Sequence, residues 1–222
     1  MKLNLPTLKA RDIGRPKYRK ANPFFEGTGY VFRQPFWDYY GVTVNVALTR
    51  QILFSIPQGN QYTPAGGAAL VKTIWHTNMT QNSLLPQPNK LFVKAIELMI
   101  RAGTLIADAE RLLNDTMLDF LIDQRSYGQQ HAQKFPAAAG AWAGGSTALA
   151  QNGFPERHNQ FTCGDPGEYI EQGQSFAVVL DPAQVVLANA GGVYTTATAA
   201  NGGVGINAHV YLDGLYTRAV SG

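Results

Sequence analysis

GVGINAHVYLDGLYTRAV, residues 203–220, is the stretch on which the reading of the fold turns. Val204, Ile206, Ala208, Val210 and Leu212 occupy every second position, and Asn207, His209, Tyr211 and Asp213 stand between them. Successive side chains of a strand point to opposite sides, so this alternation predicts a β-strand with one buried face. AANGG at 199–203 precedes it. Asn and Gly adopt positive φ at little cost, so a hairpin-like turn is expected there, with VVLANAGGVYTTATAA supplying the strand before it.

Working outward, the same period recurs. In YGVTVNVAL, residues 40–48, Val42, Val44, Val46 and Leu48 alternate with Thr43, Asn45 and Ala47. QILFSIP stops at Pro57, and QGNQYTPAGGAAL carries the Gly and Pro of a loop. KTIWHTNM (72–79) and KLFVKAIELMI (90–100) are expected as strands, separated by the LLPQPN turn. LIADAERLLN (105–114) breaks the pattern: Leu105, Ile106, Ala109, Leu112 and Leu113 fall at helical spacing. TMLDFLIDQRSY returns to alternation, with Leu118, Phe120 and Ile122 on one side. EYIEQGQSFAVVLDP (168–182) is expected as a pair of strands, with Phe176, Val178 and Leu180 alternating in the second.

Eight or nine strands without regular strand–helix alternation exclude a parallel α/β sheet and predict an all-β antiparallel sandwich. The long connections at 57–72 and 134–162 suit a single jelly roll with one or two short helices, occupying residues 29–222.

The 222 residues are enough for one sizeable core without staples. Charged residues make up only 15 %, against about 25 % in an ordinary soluble domain. Two explanations stand side by side: a surface buried against other chains, or one made polar by Gln, Asn, Thr and Ser. The single cysteine, Cys163, excludes an internal disulfide. An apolar run behind the N-terminal charges, as a signal peptide requires, is missing. The longest apolar candidate, residues 91–107, is interrupted by Lys94, Glu97 and Arg101, short of the ~20 residues that span a bilayer.

Charge is unevenly placed. Lys2, Lys9, Arg11, Arg15, Lys17, Arg19 and Lys20 face only Asp12 within residues 1–20, a net of +6; with +3 overall, the remainder carries −3. Together with Pro6, Pro16 and Pro23, this reads as an extended basic N-terminal arm over residues 1–28. Lys9, Arg11, Arg15, Lys17, Arg19, Lys20, Phe24 and Phe25 are its candidate subunit-interface residues, and Arg15, Lys17, Arg19 and Lys20 are candidates for contact with nucleic acid, since cations neutralise phosphates without sequence preference. Phe24, Phe25, Phe32, Phe36, Trp37, Tyr39 and Tyr40 follow as an aromatic-rich stretch. It reads equally as an anchor in a neighbouring subunit, where aromatics dominate binding, or as a core strand.

Chemistry-bearing motifs are weak. His76, His131, His158 and His209 form no H-x-H or H-x-x-x-H pair, and Cys163 has no C-x-x-C partner, so no metal ligand set is assigned. GGSTA at 144–148 is not a nucleophile elbow. A Cys163–His158 pair is conceivable, but a lone cysteine among polar residues is more often inert. Asp119/Asp123, Glu168/Glu171 and Asp108/Glu110 are carboxylate pairs that need a cleft before they do acid–base work. No phosphate-binding loop is present. No catalytic residue, metal, cofactor or small-molecule substrate is therefore assigned, and the chain is expected not to be an enzyme.

Three segments together resemble the jelly-roll capsid proteins of tailless icosahedral bacteriophages: ILFSIPQG with HTNMTQNSLLPQPNKLFVKAIELMI; LLNDTMLDFLIDQRSYGQQHAQKFPAAAG; and NGFPERHNQFTCGDPGEYIEQGQSFAVVLDP running into GVGINAHVYLDGLYTRAV. The similarity covers residues 50–222 and is one of strand and turn order. Many relatives carry two rolls per chain, whereas this one has room for one. The resemblance implies a structural virion protein that self-assembles into an icosahedral shell enclosing the phage genome, built in the host cytoplasm. Its implied partners are other copies of itself and other capsid proteins, with the viral genome or an internal membrane as further partners of the basic arm. A minor capsid or vertex protein, a receptor- or carbohydrate-binding β-sandwich and a cupin-like metalloenzyme are the alternatives; the paired histidines usual in cupins are absent from the sequence.

Overall fold

The computed structural model describes residues 30–43, 48–65, 67–101, 104, 106–135, 161–163, 167–182 and 206–218. Strand follows strand: β1 (Tyr30–Arg33), β2 (Phe36–Val42), β3 (Gln51–Leu53), β4 (Gln61–Tyr62), β5 (Leu70–Val71) and β6 (Lys90–Ile100). A helix, α1 (Ile106–Asn114), leads into β7 (Thr116–Ile122), β8 (Arg125–Ser126) and β9 (Gln130–His131). After a 3-10 turn at Ala132–Lys134 come β10 (Phe161–Thr162), β11 (Glu168–Ile170), β12 (Phe176–Pro182) and β13 (Ile206–Arg218).

Two antiparallel sheets pack as a sandwich. In sheet one β13 is central, with β2 and then β1 along one side and β6 along the other, and β6 carries β10 and β11 on its far side. Sheet two runs β3–β12–β7, with β8 and β9 both on the far side of β7. Pieces flanking the same strand continue one another, so among the described residues the sheets hold eight rows. Numbered along the chain, the rows of sheet one lie in the order first, eighth, third, sixth, and those of sheet two second, seventh, fourth, fifth. β4 and β5 make a separate small hairpin.

The alternation at the end of the chain does what its period dictates. Ile206, Ala208, Val210 and Leu212 are fully buried between the sheets. Leu118, Phe120 and Ile122 of β7 and Phe176, Val178 and Leu180 of β12 meet them from sheet two. Register breaks once, at Asp213/Gly214 against β6, where Lys94 is the extra residue of a bulge. Only glycine fits at 214, since a Cβ there would collide with the Phe92 carbonyl. The β7–β8 turn uses Asp123 and Gln124, both at positive φ (47° and 66°), as a two-residue hairpin requires. The Asp123 carboxylate offsets the poor fit by accepting hydrogen bonds from Ser175 N (2.9 Å) and Gln174 Nε2 (3.0 Å).

Three expectations are corrected. The strand that reaches Val42 begins at Phe36 rather than at Tyr40: in FWDYYGV the aromatic residues set the period, with Phe36, Tyr40 and Val42 turned to the core. Thus the aromatic stretch is a core strand as far as Phe36 and Tyr40 are concerned; Val44 and Val46 lie outside the described residues. KTIWHTNM is not a strand. Backbone bonds from His76 N and Thr77 N to Thr73 O (2.9 and 3.1 Å) close it into a turn. The two strands within 168–182 do not pair with each other: β11 joins β6 in sheet one and β12 lies in sheet two. The helix predicted over 105–114 is present from Ile106, buried through Ala109 and Leu112. The AANGG turn and the arm fall outside the described residues.

Candidate functional site

All eight arm candidates, Lys9, Arg11, Arg15, Lys17, Arg19, Lys20, Phe24 and Phe25, lie outside the described residues. Among the described residues, polar, charged and aromatic side chains converge where the segment between β3 and β6 crosses the outer edge of β2. The N–H and C=O groups of odd-numbered β2 residues point away from β13, and an unpaired row of this kind invites pairing with another chain. Here the row is capped. Trp37 N donates to Asn78 Oδ1 (3.0 Å), and Thr77 Oγ1 donates to Trp37 O (3.0 Å). Tyr62 Oη receives Gly41 N at longer range (3.4 Å), and Thr43 N donates to Ala65 O (3.0 Å).

Two clusters hold this excursion in place. The inner one centres on Asp38, whose side chain points inward from β2 and is fully buried. Its carboxylate accepts from Lys72 Nζ (2.5 Å), Tyr39 N (2.9 Å) and Phe54 N (2.5 Å). Lys72 is equally buried, with its ammonium 4.9 Å from the centre of the Tyr62 ring. Burial pushes the Asp38 carboxyl above the usual carboxylate range, against the opposing pull of Lys72 and the backbone donors. Burial pushes the Tyr62 hydroxyl, which donates to Gln51 Oε1 (2.7 Å), up to about 12. A cleft of about 410 Å³ opens beside this pair, lined by Arg50, Ile52, Ser55, Tyr62, Thr63 and Lys72 among others.

The outer cluster lies on the solvent side of sheet one. Tyr39 packs edge-on against His76 (5.2 Å) and tilted against Trp75 and His209 (both 5.6 Å). Its hydroxyl donates to Asn207 Oδ1. His209 stands edge-to-face with Trp75 (4.7 Å), and its Nε2 is 3.0 Å from Trp75 O, so that nitrogen carries the proton. The Arg101 guanidinium is 5.5 Å from the Trp75 ring centre. Trp75 and its neighbour Ile74 are 47 % and 55 % exposed, which leaves an apolar tip beside three cationic or protonatable groups.

The other sequence candidates separate. Cys163 is buried, and its thiol is pushed up to about 12, first by burial and then by Glu168, so it is not a ready nucleophile. His158, its conceivable partner, lies outside the described residues. Asp119 accepts from Ser126 Oγ (2.5 Å) and Asp123 holds the β7–β8 turn, so this pair serves a hairpin. Asp108 is buried and paired with Arg111 (3.2 Å) within α1. Among the described residues no three His, Cys, Asp or Glu side chains gather as a metal site, and no helix is long and apolar enough to cross a membrane.

Comparison with family models, with curated proteins and with solved structures gave no match. Neither cluster was visible in the sequence. Asp38 and Lys72 are 34 positions apart, and His76 and His209 more than a hundred, in stretches that carry no motif. The one available signal was a charged residue at an inward position of an otherwise aromatic strand: Asp38 between Phe36 and Tyr40.

Proposed function

We propose that this chain is a structural shell protein whose sandwich is a single jelly roll, one copy of a self-assembling icosahedral virion capsid. The observation that carries this reading is the nesting of the pairs: first with eighth, second with seventh, third with sixth, fourth with fifth. An eight-stranded roll is an antiparallel ribbon of such pairs wrapped around a barrel-like core, and its strands fall into two sheets in this order. The low charged fraction fits a surface committed to neighbours, and interfaces between obligate partners bury thousands of Å². On this reading the basic arm of residues 1–28 contacts adjacent subunits or the packaged genome.

Size-exclusion chromatography followed by electron microscopy of the purified chain tests the proposal. Megadalton closed particles are expected, and a monodisperse 24.1 kDa monomer at all concentrations refutes it. Deleting residues 1–28 is expected to leave far-ultraviolet dichroism of a β-protein while abolishing particles; normal particles from the truncated chain would remove the arm from assembly. A glycan-binding sandwich draws some support from the exposed Trp75, but Arg101 and His209 already occupy positions around that ring where a sugar would stack.

A further inference from the structure

The turn over Thr73–Asn78 carries, beside its backbone bonds, a side-chain bond that only one protonation state of a histidine allows. Thr73 N donates to His76 Nδ1 at 3.1 Å, and Thr73 Oγ1 lies 3.0 Å from the same nitrogen. An N–H donor requires a bare lone pair on Nδ1, so the closed turn holds His76 neutral. A proton added there breaks the bond from Thr73 N and leaves the Thr73 hydroxyl, 3.0 Å away, as the group that must turn a lone pair to the new N–H. The turn in turn presents Thr77 and Asn78 to the β2 edge. We propose that residues 73–78 form an acid-released latch, closed over the β2 edge when His76 and His209 are neutral and opened when they take up protons.

On balance the surroundings of both rings disfavour the charged imidazole. From the excursion, Lys72 stands near His76; from the segment after β6, Arg101 acts on His209; and each histidine borders the other across Tyr39. The carboxylate that acts on His76 is Asp38, which is already paired with Lys72. Among the described residues, the phenols Tyr39 and Tyr62 beside the cluster and Tyr211 along β13 stay neutral at these pH values, and Glu97 of β6 lies opposite Tyr211. Burial and these cations lower both imidazoles below their ordinary range, with the Trp75 carbonyl opposing this at His209. The closed state therefore binds fewer protons than the open one, so its stability is complete above about pH 6.5 and falls as pH drops below that value. His209 retains its donor to Trp75 O in either state, so the bond that breaks belongs to His76. The latch does not depend on the shell reading, since it concerns contacts within one chain.

Hydrogen exchange of the full-length chain, corrected for the intrinsic pH dependence of exchange, provides the test. Between pH 7 and pH 5, protection of peptides spanning 73–79 is expected to fall about tenfold, while peptides from β7 (116–122) hold theirs. In His76→Gln/His209→Gln the amide oxygen still accepts from Thr73 N and the amide nitrogen still donates to Trp75 O, and the fall is expected to shrink below about twofold. Wild-type protection that is flat with pH, an equal fall in the variant, or parallel loss in β7 each overturns the proposal. If the variant does not fold, magnetic-resonance titration of the wild-type histidine ring protons decides. Midpoints below about 6.5 that track the loss of protection support the latch, and midpoints at or above that value overturn it.

Discussion

Replacing Lys72 with Met removes the ammonium from the inner cluster and keeps most of its aliphatic volume. Asp38 is then left fully buried with two backbone donors, Tyr39 N and Phe54 N, and no counter-charge. Breaking one side of a buried ion pair costs about 3–5 kcal/mol, chiefly because the surviving charge has lost its solvation and gained nothing. The two retained N–H bonds place the expected loss at the lower end, about 3 kcal/mol at pH 7. The pH dependence gives the reasoning its sharper edge. The Asp38 carboxyl is already raised in the native state by burial, and removing Lys72 takes away the strongest influence that lowers it. A folded-state value above the unfolded value of about 3.9 means that the native chain binds more protons in that window, so the deficit shrinks as pH falls from 7 toward 4. This is opposite in sign to ordinary acid denaturation. Asp38→Asn/Lys72→Met carries no charge at the site and should show no such recovery. Urea unfolding followed by far-ultraviolet dichroism, at one fixed protein concentration, measures all three chains. A loss below about 1 kcal/mol for Lys72→Met at pH 7, or a deficit that does not shrink on acidification relative to the double variant, would refute the account of a desolvated pair.

Two further outcomes follow from the geometry. Gln124 sits at φ 66° in the β7–β8 turn, where a side chain costs about 1–2 kcal/mol; Gln124→Gly should stabilise the chain by about 0.5–1 kcal/mol after the added flexibility of the unfolded state is subtracted, read as a higher urea midpoint. The Cys163 thiol, pushed up to about 12, should react with iodoacetamide at pH 8 about a thousandfold more slowly in the native chain than in denaturant, from its ionisation alone; matched rates followed by mass spectrometry would place Cys163 outside the core.

What the sequence made legible was whatever one strand decides for itself. β13 and β7 announce their buried faces by period alone, and α1 by its 3.6-residue spacing, because in each case a single element faces a single core. The start of β2 was set too late because Val42, Val44 and Val46 look more strand-like than FWDYYGV, whose inward row includes an aspartate. A charge at a core position lowers the apparent fit of a strand until its partner is known, and Lys72 arrives from a different part of the chain. KTIWHTNM failed for a related reason. Ile74 and Trp75 suggest a strand, yet they remain exposed, and the turn exists because Thr73 and His76 bond to each other. Which sheet a strand joins, as β11 joins one and β12 the other, is not encoded in local period at all.

Residues 72–79 are fixed at both ends and conditional in the middle, and that arrangement limits what acid can release. At one end Lys72 is locked to Asp38 and its N–H donates to Asn60 O (2.9 Å). At the other, Met79 is buried in the main core and its carbonyl receives Gln58 N (2.8 Å). Between them, the groups that touch β2 and β13 belong to Ile74, Trp75, His76, Thr77 and Asn78. Protonation acts only on this middle portion, so opening pivots about two anchors that do not titrate through the same mechanism. Weakening an anchor should therefore make the latch open at higher pH as well as lowering global stability, whereas weakening the catch should leave global stability nearly unchanged. That separation of effects distinguishes a hinged segment from a loop that merely frays.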